Sequence, residues 1–567
     1  MKKSRIRKKS ALKSFFGFLG TGSLAMVSSG AVAAALSLVY AGLEMPDSLV
    51  AKWLVRPLAA VSVGTVTASG GLPTNVGKST STTTPAPTPL KPMKLGMNMT
   101  QPIYYTPTRI FTNLASDVGW VVTPANGGST DGYFDANRNV VKVLPGDQVY
   151  RFILRPTGIY QKKSVDIVCK WDGIGTIEAV KHSGIQNLVM GANGMRYTQL
   201  PDPIDSAWMM VRLKSVDMSN PFRNLDCREA GADPNALYDP TFLAGVKKYS
   251  SLRFMKWQNV EQNKTVTWAK RTTPAMGQIM GDADGVAIEN MIALANQTKT
   301  DPWFAMPWNA DDDYIRRFAT LVRDTLDPNL KVYVEASNEV WNWAYLVTHQ
   351  AQQEGLSRGL TTDGQVAVWY RYAEKTIQVM DIWRDVFQGQ SSRLVRVAAM
   401  QNAWPDTIKA VLSFRDTPQH IDAISSAPYF TADLSAYTGD GSNLNDFFAQ
   451  LRTTLDGAMD NAKQFKQLAD QYHLRFVTYE AGQHVSNARQ DQIPLLYQIE
   501  HDRRMGQLYT YYLNRWNNEI GDLMTLFSDY DGASTAGAWG ISDYIGQSPN
   551  AAPKAKAVML FQASISK

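Results

Sequence analysis

Hydrophobic positions along the chain follow three different rules. From Ser14 to Leu43 no charged residue occurs, and this stretch directly follows a cluster of Lys and Arg. A basic end with a long uncharged stretch behind it reads as a secretory signal or a membrane anchor, and Ala33-Ala34-Ala35 offers small residues for cleavage. With the basic end kept inside, the remainder faces outward, so an extracytoplasmic location (periplasmic, secreted or tethered to the inner membrane) is expected for it. Residues 1–43 form this segment, and residues 44–93 form a stalk and linker. Within the latter, the apolar run Leu49 to Val63 is broken by Lys52 and Arg56, and nineteen of the twenty-eight residues from Thr65 to Pro92 are Ser, Thr, Pro or Gly, a composition unable to bury a core.

From 94 to 220 the second rule applies. Short β-branched and aromatic runs (Trp120-Val121-Val122, Val140-Val141-Lys142-Val143, Val149 to Leu154, Val165-Asp166-Ile167-Val168) alternate with turns such as Asn126-Gly127-Gly128 and Pro145-Gly146-Asp147. This pattern predicts an accessory antiparallel β-sandwich. From 221 to 567 short apolar strands alternate with longer helical segments. The strand candidates are Phe222 to Cys227, Leu252 to Met255, Trp303 to Met306, Val332 to Glu335, Val395 to Met400, Ile421 to Ser426, Phe476 to Glu480 and Leu523 to Ser528. Apolar residues at three- and four-residue steps mark helices over Gly285 to Gln297, Asp312 to Thr325, Gln365 to Val386 and Leu444 to Tyr472. Eight units of about 43 residues predict an α/β fold, a (β/α)8 TIM barrel preceded by the sandwich.

Composition narrows the functional classes. Hydrophobic residues make up 44% and charged residues 19%, enough apolar material for real cores. The net charge is +6, yet the first thirteen residues alone hold seven Lys or Arg, so the rest of the chain is close to neutral and gives no support to nucleic-acid binding. No CxxC, Cys/His cluster or HExxH motif marks a metal, and no cofactor is implied. Asp311, Asp312 and Asp313 precede a helix and read as caps rather than metal ligands. Cys169 and Cys227 read as separate buried thiols, although an exported chain could join them.

In a barrel the chemistry sits at the carboxyl ends of the strands. The fourth predicted strand ends in Asn338-Glu339, and the seventh, three units later, ends in Glu480. An Asn-Glu after strand four with a lone Glu after strand seven resembles the large clan of (β/α)8 retaining β-glycosidases that includes cellulases and mannanases, over residues ~220 to 563. The resemblance implies Glu339 as acid/base and Glu480 as nucleophile, with carboxyl groups about 5 to 5.5 Å apart. It further implies that Arg253 keeps the nucleophile ionised, Asn338 binds the sugar 2-hydroxyl, Tyr429 orients the nucleophile and Trp539 stacks on the sugar. Many members carry a His at strand three, where this chain offers Trp308 and Asn309. More narrowly, the stretch from Asp301-Pro302-Trp303-Phe304 to Asn338-Glu339-Val340-Trp341-Asn342 resembles a group of exported bacterial glycosidase-like proteins with a β-rich N-terminal domain.

Trp257, Trp308, Trp341, Trp343 and Trp404 each follow a predicted strand, as rings lining a polysaccharide cleft would, and His484 follows Glu480 as a further candidate contact. Glu335, inside the fourth strand, reads as a supporting carboxylate. The expectation is thus an exported retaining β-glycoside hydrolase acting on a β-linked polysaccharide, with an exopolysaccharide among the candidate substrates. The alternatives are a transglycosylase and a catalytically weak carbohydrate-binding or matrix-assembly protein.

Overall fold

The computed structural model describes residues 90–103, 106–116, 119–153, 163–201, 208–276 and 285–565. The expectations for residues 1–43, and for the stalk and linker up to residue 89, lie outside the described residues. A closed barrel of eight parallel strands forms the main body. In order around the barrel these are β1 (Lys94–Asn98), β10 (Ser251–Arg253), β11 (Asp301–Met306), β12 (Val332–Ala336), β13 (Leu394–Ala399), β14 (Ala423–Ser426), β16 (Arg475–Thr478) and β18 (Leu523–Leu526). Strands buried on both faces read as continuous apolar runs, and all five residues of β12, Val332-Tyr333-Val334-Glu335-Ala336, are buried. Trp303, Tyr333, Val395, Val397, Ala423, Val477 and Tyr479 pack together as an inner cluster, with Trp303 and Tyr333 stacked at 5.3 Å. Around the strands lie helices such as Asp312–Thr325, Gly364–Val386 and Asn445–Gln471. Asp311 caps the first of them by accepting a hydrogen bond from the Tyr314 amide at 2.7 Å, which is the capping role its position predicted.

Seven of the eight barrel strands lie where the hydrophobic runs place them, and the first does not. The barrel is closed by β1, which pairs with β10 (Gly96↔Ser251) on one side and with β18 (Met97↔Leu526) on the other. A Cβ at Gly96 would lie 2.7 Å from the Thr525 side-chain oxygen, so any larger residue at this closing seam would force Thr525 to shift. The expected first strand, Phe222 to Cys227, is instead largely β9 (Arg223–Glu229) of the other domain. The boundary at 220/221 is therefore corrected: the β-domain interrupts the barrel between its first and second strands and does not precede it.

That inserted domain consists of β2 (Val121–Thr123), β3 (Gln148–Ile153), β4 (Val165–Asp172), β5 (Gly175–Lys181), β6 (Ile185–Met190), β7 (Gly194–Gln199), β8 (Met209–Val216) and β9. They form two four-stranded antiparallel sheets, ordered β2-β3-β8-β5 and β6-β7-β4-β9, around one apolar core that includes Val149, Ile167, Trp171, Tyr197, Val211 and Leu225. Along β4 buried and exposed residues alternate without a break, as a sheet with one wet face requires. Cys169 and Cys227 are direct cross-strand partners and form a disulfide, which corrects the reading of two separate thiols. At the junction the Arg109 guanidinium bridges Glu229, the last residue of β9, and Asp239, which caps the helix Pro240–Val246 leading back into the barrel.

Candidate active site

Each acidic candidate is placed by the loop that follows its strand. After β12 the chain turns sharply, with Ser337 at φ 59° and Glu339 at φ 43°, both left-handed and both non-glycine. Such conformations persist where surrounding bonds impose them, and they gather at active sites. Here the Ser337 amide donates to the Met306 carbonyl at 2.8 Å, and the Asn342 amide donates to the Glu339 carbonyl at 2.8 Å. After β16 comes Tyr479-Glu480, after β14 comes Tyr429, and β1 ends in Asn98.

Arg253, fully buried at the end of β10, joins these loops. Its Nε donates to Glu335 Oε1 at 2.7 Å, Nη1 to Glu480 Oε1 at 2.9 Å and to Asn98 Oδ1 at 3.0 Å, and Nη2 to Asn338 Oδ1 at 2.8 Å. The guanidinium lies over the Tyr479 ring at 5.1 Å. The Tyr429 hydroxyl donates to the other Glu480 oxygen at 2.9 Å. Glu480 therefore has a cation on one oxygen and a hydroxyl on the other. Glu339 has no cation: the Tyr479 hydroxyl donates to Oε1 at 3.0 Å and Asn342 Nδ2 to Oε2 at 2.8 Å.

These surroundings separate the two acids. Burial, reinforced by the charge of Glu480, pushes the Glu339 carboxyl up to about 7. Burial also pushes Glu480 upward, but Arg253, the Tyr429 hydroxyl and Lys256 pull it back, so of the pair Glu339 is the one that holds the proton. Glu335, buried beneath Arg253, is raised to about 7, chiefly by burial.

Of the other candidates, His484 and Trp539 join the same site. The Trp539 indole donates to His484 Nδ1 at 3.1 Å, and the imidazole lies 5.3 Å from the Tyr429 ring. Trp308 and Asn309 belong to a neighbouring network instead. Trp308 is buried, with Arg371 over its ring at 5.2 Å and its indole 3.5 Å from Glu354, while Asn309 exchanges hydrogen bonds with Asn263 and Gln350. Trp257 is core, stacked on Phe242. Trp341 is half-buried, and Trp343 and Trp404 are 40% and 39% exposed, Trp404 edge-on to Trp369.

Sequence reasoning missed four participants. Asn98 lay hidden because its strand was assigned elsewhere, and Tyr479 and Asn342 carry the bonds to Glu339. The fourth, Glu261, accepts from Lys256 at 2.5 Å, from Tyr345 at 2.9 Å and from Asn338 Nδ2 at 3.3 Å. Tyr479 and Asn342 each flank a candidate acid in the sequence, whereas nothing in the loop around Glu261 announces it. Among the described residues no group of three or more His, Cys, Asp or Glu could hold a metal ion.

No protein-family model and no curated protein matches the chain. Solved structures similar to it include glycoside hydrolases. They include a GH51 arabinofuranosidase from Xanthomonas axonopodis pv. citri, at 11% identity and TM-score 0.35, covering 55% of this chain and 64% of that one. An endo-β-1,4-mannanase double mutant from Cellulomonas fimi matches at 10% identity and TM-score 0.30 over 55% and 62%. A family 1 β-glucosidase from Thermotoga maritima matches at 8% and 0.34 over 57% and 85%. The chain spans somewhat under two thirds of the arabinofuranosidase and of the mannanase. The barrel itself is established by its own strand pairing.

Proposed function

We propose that the chain is an exported retaining β-glycoside hydrolase that cleaves a β-linked polysaccharide by double displacement. The observation that carries this reading is the asymmetry of two carboxyls just after the fourth and seventh barrel strands: buried Glu480 bonds a guanidinium and a tyrosine hydroxyl, and half-buried Glu339 bonds no cation. Glycosidic cleavage needs one carboxylic acid and one carboxylate across the scissile bond. Glu339 gives its proton to the leaving oxygen while the Glu480 carboxylate attacks the anomeric carbon. Glu339, now ionised, then takes a proton from water as that water displaces Glu480. Export is supported by the basic, then uncharged N-terminal stretch and by the Cys169–Cys227 disulfide, since disulfides persist in oxidising compartments.

The test is release of reducing ends from β-glucans, β-mannans, xylans and the host's own exopolysaccharide by residues 90–567, beside Glu339→Gln and Glu480→Gln. Release that both substitutions abolish supports the reading. Binding without release by the unaltered protein overturns it in favour of a carbohydrate-binding role.

A further inference from the structure

The small parallel sheet above the barrel, β15 (Phe430–Asp433) with β17 (Gln483–Ser486), pairs Thr431 with His484 and so fixes the imidazole beside Tyr429, the residue whose hydroxyl holds Glu480. Trp539 closes the same wall from the loop after β18, its ring 5.6 Å from His484. The loop is anchored one residue earlier: the Ala538 carbonyl accepts from the Gln483 side chain and, at 2.9 Å, from the buried Lys554, which is itself ion-paired with the buried Glu500. The pair is thus held from both backbones.

An indole N–H can only donate. His484 Nδ1, 3.1 Å away, must therefore accept, and in a neutral imidazole the proton then resides on Nε2. Protonating Nδ1 would set two donors against each other, and burial independently favours the neutral ring. Among the described residues Nε2 has no hydrogen-bond partner, although the ring is only half-buried.

Resting on the hydrolase reading above, we propose that His484, locked by Trp539 as an Nε2–H tautomer, is an uncharged donor that binds one hydroxyl of the sugar beside the nucleophile, making this position specific for a hydroxylated, uncharged sugar. A donor aimed at a hydroxyl rejects the analogue that lacks it, because the site group is then left unpaired. Trp539 acts here through His484, as a positioning residue.

The test uses residues 90–567 with the 4-nitrophenyl β-glycosides of glucose, mannose, galactose and xylose and their monodeoxy analogues. His484→Phe keeps the ring but removes the donor. It is expected to raise KM about tenfold with little change in kcat on the parent glycoside, and to add no penalty on the one analogue lacking the contacted hydroxyl. His484→Gln, which carries a donor, is expected to recover part of the loss. Independently of any variant, the 15N spectrum of the histidine-labelled protein is expected to show Nδ1 bare and Nε2 protonated, with Trp539→Phe giving mixed tautomers. A protonated Nδ1, or an equal penalty on every deoxy analogue, overturns the proposal while the hydrolase reading stands. A wild-type protein that cleaves no glycoside and binds none overturns both.

Discussion

Glu480 is buried and Glu339 half-buried, and it is their partners that set the two apart most clearly. Arg253 is shared between Glu480 and Glu335, and every nitrogen of its guanidinium is engaged, so it bonds the candidate nucleophile Glu480 and not Glu339. The consequence appears in pH dependence. In the proposed double displacement Glu339 must start protonated, and a carboxyl raised to about 7 loses its proton as pH rises through that value, so kcat/KM is expected to fall on the alkaline side near pH 7. Replacing Glu480 with Gln removes the neighbouring charge but leaves the burial that is the larger cause. In that variant a 13C titration of the Glu339 carboxyl should place its midpoint between 4.5 and about 7. Stability carries the same sign: Glu335 and Glu339 keep protons in the folded protein that the unfolded chain releases above about 4.5, so folding weakens as pH rises from there to about 7. A urea midpoint that rises across this window would contradict the assignment.

Among the elements, β4 and β9 are joined at Cys169 and Cys227, which are 58 residues apart in sequence. Closing a loop of that length restricts the unfolded chain by about 4 kcal/mol in the chain-entropy account. Cys169→Ala with Cys227→Ala should lower the stability of the inserted domain by that order, read as a shift of one transition in differential scanning calorimetry, with the barrel transition in place. A barrel transition displaced equally would show that the two units unfold as one. The same two strands explain what was legible in the sequence. Parallel strands such as β12 and β14 are buried along their whole length and carry apolar, β-branched or small residues at most positions, so seven of them are legible in the sequence, together with the acids that follow the fourth and seventh. Arg223–Glu229 could be taken for a barrel strand because it adjoins the first barrel helix. Yet its only fully buried residues, Leu225 and Cys227, alternate with wetter ones, which is the mark of a sheet with one solvent face. The true first strand is five residues beside a Ser/Thr/Pro-rich linker, too short to outweigh its neighbourhood. Trp308 and Asn309 stand after β11, where the barrel pattern predicts candidate contacts, but position does not disclose that they meet Glu354, Arg371, Asn263 and Gln350.

At the scale of the whole molecule the insertion point matters more than the inserted fold. The β-domain leaves the barrel after β1 and returns at the helix Pro240–Val246, so it occupies the first βα connection, and those connections lie on the face that bears Glu339 and Glu480. One consequence is that the barrel cannot be separated at residue 220. A fragment starting at 221 lacks β1 and with it the buried side chains of Met93, Leu95, Met97 and Met99. At about 1.5–3 kcal/mol for each buried apolar side chain, their loss is comparable to the whole stability of an ordinary domain. It also leaves β10 and β18 as open edges and takes away Asn98, the partner of Arg253 Nη1. The 221–567 fragment is therefore expected to be insoluble or unfolded by circular dichroism. By contrast, a chain running from residue 90 in which 117–232 is replaced by a short Gly/Ser loop keeps all eight strands and should melt cooperatively. The proposed catalytic pair, Glu339 and Glu480, remains intact, so its turnover of a small aryl glycoside measures the barrel alone. Any further loss confined to polysaccharide measures what the inserted domain contributes at the rim. A soluble, cooperatively folded 221–567 fragment would show that β1 is dispensable and would refute the closure drawn from its pairing.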